Sequence, residues 1–238
     1  MIQAALFGAC GRMGRIISEV FTASSSIQFV AGLENTVHPA VGSEIDGIPI
    51  FGSMEELPEC QVWLDFSLAN AAMEHLQEAA KRALPIVIAA TGFDEEQLEL
   101  LHDASQKCPI LLAPNLSLGV GATDKLVALA AKMLDSSYQP VIVETHHSSK
   151  IDKPSGTALR LAQQITSERD KAPEILSVRA GGVIGEHRIT FYGQNEEIEI
   201  VHRAYSRKAF TSGIKRALKF ILEQEPGLYT LKELYADV

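Results

Sequence analysis

The densest run of reactive side chains is Glu144-Thr145-His146-His147-Ser148-Ser149-Lys150-Ile151-Asp152-Lys153-Pro154-Ser155-Gly156-Thr157. Histidine gives up or takes a proton near neutral pH. Lysine offers a compact positive charge. Pro154-Ser155-Gly156-Thr157 has the chemistry of a helix start, with Ser155 as its N-cap. Gly156 and Thr157 would then present bare backbone N–H groups, which suit a carboxylate. A capped helix after a polar loop accounts for Pro154 and Ser155. It gives no reason for His146, His147 and Lys150. A metal site is disfavoured, because adjacent histidines on a strand point opposite ways and no third ligand is evident.

The second cluster is Gly8-Ala9-Cys10-Gly11-Arg12-Met13-Gly14, between an apolar run and an amphipathic one. Glycines at such a turn let a pyrophosphate approach the backbone, and the helix that follows supplies free N–H groups and a positive dipole end. The spacing is G-x-x-G-x-x-G, a weak signal alone and also compatible with a structural turn. Two features favour a dinucleotide. The turn follows the first strand, and Glu34 closes the second strand, where an acid accepts hydrogen bonds from the adenine-ribose hydroxyls. Asn35, not a basic residue, follows Glu34. A carboxylate repels a 2′-phosphate, so NADH is the preferred cofactor. Arg12 and Arg15 leave NADPH open.

These clusters need elements to hold them. Residues 2–7 (IQAALF), Phe29–Leu33, Val62–Phe66, Ile86–Ala90 and Ile110–Ala113 are short apolar runs, as expected of strands covered on both faces. Helical stretches at 12–23, 69–83 and 94–106 alternate with them. In 12–23, Met13, Ile16, Ile17 and Val20 form the apolar face. The alternation predicts an α/β fold with a Rossmann-like parallel-sheet nucleotide domain. After residue 118 the pattern changes. A helix at 119–135, a strand Val141–Thr145 and a helix at about 156–168 precede strands at 175–180, 185–193 and 197–204. This predicts a smaller mixed α+β substrate domain. Ser206–Glu223 reads as one helix with Ala209, Ile214, Leu218 and Ile221 inward. The expected division is 1–117 with 206–238, and 118–205.

Composition bounds the function. The 238 residues carry a net charge of −9 and no long basic run, which disfavours nucleic acid as a partner. Cys10, Cys60 and Cys108 are odd in number and lack a C-x-x-C pair, so neither a disulfide framework nor a cysteine zinc site is supported. No apolar run reaches the ~20 residues of a membrane span. A cytoplasmic protein is expected.

With these residues in hand, the chain resembles the dihydrodipicolinate reductase (4-hydroxy-tetrahydrodipicolinate reductase) family, nearly end to end. GACGRMG resembles the family's nucleotide loop. Asp65-Phe66-Ser67, Ala90-Thr91-Gly92-Phe93 and Ala113-Pro114-Asn115-Leu116-Ser117 resemble its further cofactor-lining loops. His146-His147-Ser148-Ser149-Lys150 with Pro154-Ser155-Gly156-Thr157 is similar to its H-H-x-x-K…P-S-G-T signature, and Arg179-Ala180-Gly181…Gly185-Glu186-His187 to another segment. The resemblance implies a reductase of lysine (diaminopimelate) biosynthesis acting on a small cyclic imine dicarboxylate. It implies His146 as proton donor and Lys150 as second catalytic group. It also implies His147 and the Gly156 and Thr157 amides as carboxylate contacts, and Glu34 as ribose acid. Gly8, Ala9, Cys10, Gly11, Arg12, Met13, Phe66, Ala89, Ala90, Thr91, Ala113, Pro114, Asn115 and Leu116 would line the cofactor. A C-terminal return to the nucleotide domain and a homotetramer built through the substrate-domain sheets are also implied. The chain departs from the family at three places. Some members have a basic residue at Asn35 or an aromatic at Leu116, and others a Gly-Thr pair at Ala89-Ala90. Two rival readings remain: another two-domain NAD(P)-dependent dehydrogenase, and a non-enzymatic NAD(H)-sensing protein. A sensor needs no proton donor, which weighs against the latter.

Overall fold

The computed structural model describes residues 1–22, 26–169 and 171–236. The chain divides into two compact units, Met1–Leu116 with Phe210–Val238, and Ser117–Ala209.

The first unit is built on an eight-stranded sheet. Its strands are β1 (Ile2–Phe7), β2 (Ile27–Leu33), β3 (Glu44–Ile45), β4 (Ile48–Phe51), β5 (Val62–Asp65), β6 (Ile86–Ile88), β7 (Pro109–Leu112) and β12 (Gly227–Thr230), in the order β12-β7-β6-β5-β1-β2-β4-β3. All pairs are parallel except β3–β4. Ala4, Ala5, Leu6 and Phe7 are all fully buried, because helices cover both faces. On one face α1 (Arg12–Phe21), α6 (Ile214–Leu222) and α7 (Leu231–Leu234) share a core with Leu6, Leu64 and Leu111. On the other, α2 (Ala69–Lys81) and α3 (Glu95–Ser105) pack on Phe7, Trp63 and Ile110. Strand order reverses between β1 and β5. In such sheets the crevice beyond the carboxyl ends at that point is where ligands bind.

The second unit pairs α4 (Leu118–Met133) and α5 (Gly156–Glu168) with a four-stranded mixed sheet in the order β11-β10-β8-β9. These strands are β8 (Gln139–His146), β9 (Glu174–Arg179), β10 (Gly185–Tyr192) and β11 (Glu197–Ala204). β8 and β9 run parallel, while β10 is antiparallel to both β8 and β11. Ile142, Ile189 and Phe191 point at Leu161 and Ile165 of α5 and Val127 of α4. The opposite face carries Leu176, Val178 and Tyr192, each more than 40% exposed.

Several elements differ from the sequence reading. Asp46 and Gly47, with φ of 49° and 80°, turn a β3–β4 hairpin that the reading did not contain. β12 and α7 also lie outside it. The expected helix at 12–23 ends at Phe21, and Ala23 lies outside the described residues. Its buried face is Gly14, Ile17 and Ser18, whereas Val20 is exposed. Ser206–Glu223 is not one helix. A 3-10 turn at Arg207–Thr211 precedes α6, and Gly213 separates them. A Cβ on Gly213 would lie 2.3 Å from the Leu116 carbonyl oxygen, which accepts the Gly213 N–H at 2.8 Å. α6 buries Ile214, Leu218 and Ile221 completely. Each contributes about 1.5–3 kcal/mol by burial, so Leu218→Ala alone would cost about 2–5 kcal/mol.

Candidate active site

β1 ends at Gly8, whose φ of +70° turns the chain beneath Phe66. Gly11 is the N-cap of α1 and offers no side-chain cap, so the first N–H groups of that helix have no internal acceptor. No acidic residue occupies its first turn. A Cβ on Gly14 would fall 2.3 Å from Gly8 O and 2.4 Å from Ala9 O, so only glycine lets α1 sit this close to the loop. Glu34 follows β2 and accepts the Cys10 N–H at 2.7 Å through Oε1. The acid is therefore fastened to the glycine loop by one oxygen. This donor set fits a dinucleotide: bare amides for the pyrophosphate and a carboxylate for the ribose.

The other expected cofactor positions follow the carboxyl ends of the neighbouring strands. Phe66 follows β5, and Asp65 beneath it is fully buried. Asp65 accepts the Ser67 N–H at 2.7 Å and pairs with His75 at 2.8 Å, which holds the loop's shape. Ala89, Ala90 and Thr91 follow β6. Ala113, Pro114, Asn115 and Leu116 follow β7. Ala9 and Ala113 are fully buried, so they offer a ligand backbone only. Leu116 is 1% exposed and packs with Ile214 and Leu218 in the core, which leaves its side chain no surface for a nicotinamide. Sequence reasoning placed Asp65 in a cofactor-lining loop without giving it a role, and missed His75 and Gly32; a Cβ on Gly32 would strike Ala9 and Ile50 at 2.7 Å.

In the second unit, β8 delivers Glu144 and His146 to the same face, two residues apart. Glu144 Oε2 accepts from His146 Nδ1 at 2.5 Å. Arg179, at the end of β9, binds the same carboxylate with both terminal nitrogens, at 3.0 Å to Oε2 and 2.8 Å to Oε1. Burial alone would raise the Glu144 carboxyl. Hydrogen bonds from Arg179, Ser177 and His146 outweigh it and hold the group down at about 2. Burial lowers the His146 pKa, Glu144 raises it, and Lys150 and Arg179 lower it further. His187 on β10 meets His146 edge-on, with ring centroids 5.2 Å apart. Burial, then repulsion from His146 and His202, pushes His187 down to about 3, so it is neutral.

The loop after β8 holds the remaining candidates. His147 Nδ1 lies 2.8 Å from Ser149 Oγ. Lys150 is paired with Asp152 at 2.7 Å. Arg179 also donates to the Asp152 carbonyl at 2.5 Å, so one guanidinium ties this loop to Glu144. Ser155 caps α5 by accepting the Ala158 N–H at 3.2 Å. Nothing stands within 4 Å of a Cβ on Gly156, and the first turn has no acidic residue. His187 Nε2 lies 3.2 Å from the same Ser155 hydroxyl, which joins the helix start to His146 through one ring. The structure thus gathers His146, Ser155, Glu144, Arg179 and His187. The two residues behind His146, Glu144 and Arg179, stand in segments that the sequence reading quoted, but it gave neither a role. Period-two alternation on β8 is a signal for the first; no local signal points to the second.

Among the described residues, no group of three or more His, Cys, Asp or Glu is placed to hold a metal, and no helix is long and apolar enough to cross a membrane. All three cysteines are free.

A Rossmann-like sheet with a glycine turn at the start of its first helix, in a chain whose second unit carries a buried histidine and a serine-capped helix start, has the parts of a nicotinamide-dependent oxidoreductase. Residues 2–116 match the family described as dihydrodipicolinate reductase, N-terminus, and 119–235 its C-terminus. The chain belongs to the dihydrodipicolinate reductase family. It is 38% identical to the 4-hydroxy-tetrahydrodipicolinate reductase of Syntrophobacter fumaroxidans, over 96% of this chain and 97% of the relative. It is 37% identical to that of Caldanaerobacter subterraneus subsp. tengcongensis, over 98% of both. The dipicolinate-bound dihydrodipicolinate reductase of Paenisporosarcina sp. TG-14 superposes with a TM-score of 0.82 at 27% identity, over 98% of both chains.

Proposed function

We propose that this chain is a 4-hydroxy-tetrahydrodipicolinate reductase of lysine (diaminopimelate) biosynthesis. One observation carries the reading: His187 joins the His146 ring to the capped start of α5, so a proton donor and a carboxylate-binding turn are fixed together. A six-membered ring with two carboxylates suits that pair. Loss of the ring's 4-hydroxyl as water leaves C=C conjugated to C=N. A reduced nicotinamide bound by this chain would supply the hydride for carbon 4, which would push electrons toward the ring nitrogen and leave carbon 3 in need of a proton. His146 delivers that proton from Nε2. Lys150 exchanges Asp152 for a substrate carboxylate, and His147 with the Gly156 and Thr157 amides holds the ring's charge. Glu34, Gly8, Ala9, Cys10, Gly11, Arg12 and Met13 hold the dinucleotide, with the backbones after β5, β6 and β7 as its further walls.

NADH is the preferred cofactor, supported by Glu34 followed by exposed Asn35. The assembly is a homotetramer through the open sheet face, where Leu176, Val178 and Tyr192 are each more than 40% exposed beside the ion-paired Glu186, Arg188, Glu199 and Arg203. The compartment is the cytoplasm, which agrees with three unpaired cysteines. The test is loss of reduced-nicotinamide absorbance with freshly prepared substrate, NADH and NADPH run side by side. Binding of NADH without turnover would sink the reductase reading in favour of a sensor.

A further inference from the structure

His146 is poorly made for an acid by its burial alone. A desolvated imidazole between Lys150, Arg179 and His187 favours the neutral form. His202 stands one strand further, 6.3 Å beyond His187, and Asp152 is engaged by Lys150. Of the described groups facing the ring, only Glu144 favours a proton on it.

We infer that Glu144 and Arg179 form the positioning unit of this site: Glu144 orients His146 through Nδ1 so that Nε2 delivers the proton, and Arg179 holds Glu144 and the Lys150 loop in one register. Three observations carry this. The same oxygen, Glu144 Oε2, takes both His146 Nδ1 and Arg179 Nη1; a pair serving only to cross-link β8 and β9 would not reach the imidazole. Glu144 has no solvent exposure, so its charge is aimed inward at His146, Arg179 and Ser177 and not at water. Nε2 faces Gly185, where any Cβ would stand 3.2 Å away, so glycine keeps that nitrogen uncrowded. The arrangement follows the logic of an acid–histidine pair in which the carboxylate fixes the tautomer and stabilises the imidazolium without taking the proton. Arg179 adds the second half through the Asp152 carbonyl, which anchors the loop that carries Lys150.

The inference rests on the reductase reading for the proton's destination, and the experiment separates the two. Glu144→Gln keeps the side chain's size and removes its charge. In kcat/KM against pH, the limb on which activity falls with rising pH should move down by about one to two units. Above the original limb the rate should be about ten- to a hundredfold lower. NADH affinity, read by fluorescence, should stay unchanged. An unmoved limb with normal turnover overturns the inference, as does an equal loss at every pH. Nitrogen-15 NMR of the histidines in the unsubstituted protein, with His146→Gln for assignment, needs neither turnover nor a folded Glu144 variant. Neutral His146 should carry its proton on Nδ1; a proton on Nε2 overturns the inference. Absence of turnover in the unsubstituted protein would count against the reductase reading, while the NMR result still decides the role of Glu144.

Discussion

His187 Nε2 lies 3.2 Å from Ser155 Oγ, the same hydroxyl that accepts the Ala158 N–H and starts α5. One buried ring thereby sets both the edge packed against His146 and the first turn of the helix. Because burial keeps His187 neutral, it does this without adding a cation beside His146. The start of α5 and the His146 ring are thus linked by one side chain.

Ser155→Ala tests this link. Loss of the cap should cost about 1 kcal/mol of stability. If Gly156 and Thr157 hold a substrate carboxylate, KM for the substrate should rise by a larger factor than kcat falls, because α5 frays at the turn that binds. Chemical denaturation and steady-state kinetics on one preparation would show both. An unchanged KM would remove the helix start from substrate binding.

His187 also predicts acid sensitivity. Its folded-state pKa of about 3 lies below the ordinary value of about 6.5. The folded state therefore binds fewer protons than the unfolded one between those values. Stability from this group is complete above about pH 6.5 and is lost as pH falls toward 3, by up to about 1.4 kcal/mol per pH unit. Asp124 acts oppositely. Burial raises it to about 6 against the pull of Arg160, so its strain is relieved as pH falls below 6. His187→Phe should flatten the slope of unfolding free energy against pH between about 6.5 and 4.5 by close to one proton. An unaltered slope would show that His187 is charged in the folded protein.

The parallel sheet was legible because strands covered on both faces are continuous apolar runs; IQAALF has no polar face to confuse its period. The Asp46-Gly47 hairpin was present as a turn signal, but β3 and β4 are too short for alternation to show. Gly213 broke a helix whose apolar spacing at Ile214, Leu218 and Ile221 is sound. The reason is the close approach of the Leu116 carbonyl, which accepts the Gly213 N–H and leaves no room for a Cβ, a contact distant in sequence. The site divides the same way. His146 and Lys150 declare themselves by type and proximity. Arg179 reaches Glu144 only because β9 pairs in parallel with β8, setting His146 opposite Arg179, and inter-strand register is settled by packing.

Gly14→Ala should damage the nucleotide loop. The new methyl would need space now held by the Gly8 and Ala9 carbonyls, so the loop or α1 must shift. Overpacking of this kind costs about 1–3 kcal/mol. NADH affinity should fall by at least about tenfold, since the amides lose their register. A fluorescence titration would measure it. Normal affinity would mean that the dinucleotide does not use this turn.

Asn35→Arg should shift cofactor choice. Asn35 is exposed beside Glu34, and an arginine there would add a charge-assisted partner for a 2′-phosphate. With Glu34 retained, the NADPH to NADH ratio of kcat/KM should rise by about tenfold, the worth of one such bond. An unchanged ratio would mean that Arg12 or Arg15 already governs the phosphate.

His146→Gln isolates the proton donor from the rest of the site. Glutamine can still reach toward Glu144, so the buried carboxylate and Arg179 keep their partners and the second unit should fold. It cannot donate a proton as an acid. Removing general-acid catalysis lowers rates by about 10²–10⁴. In the proposed function, NADH binding rests on Glu34 and the glycine turn of the first unit and not on His146. The expected result is a kcat at least about a hundredfold lower with NADH affinity within about twofold of normal. A near-normal kcat would take His146 out of the mechanism. Equal losses in kcat and NADH affinity would mean that the substitution acts through the fold and not through the acid.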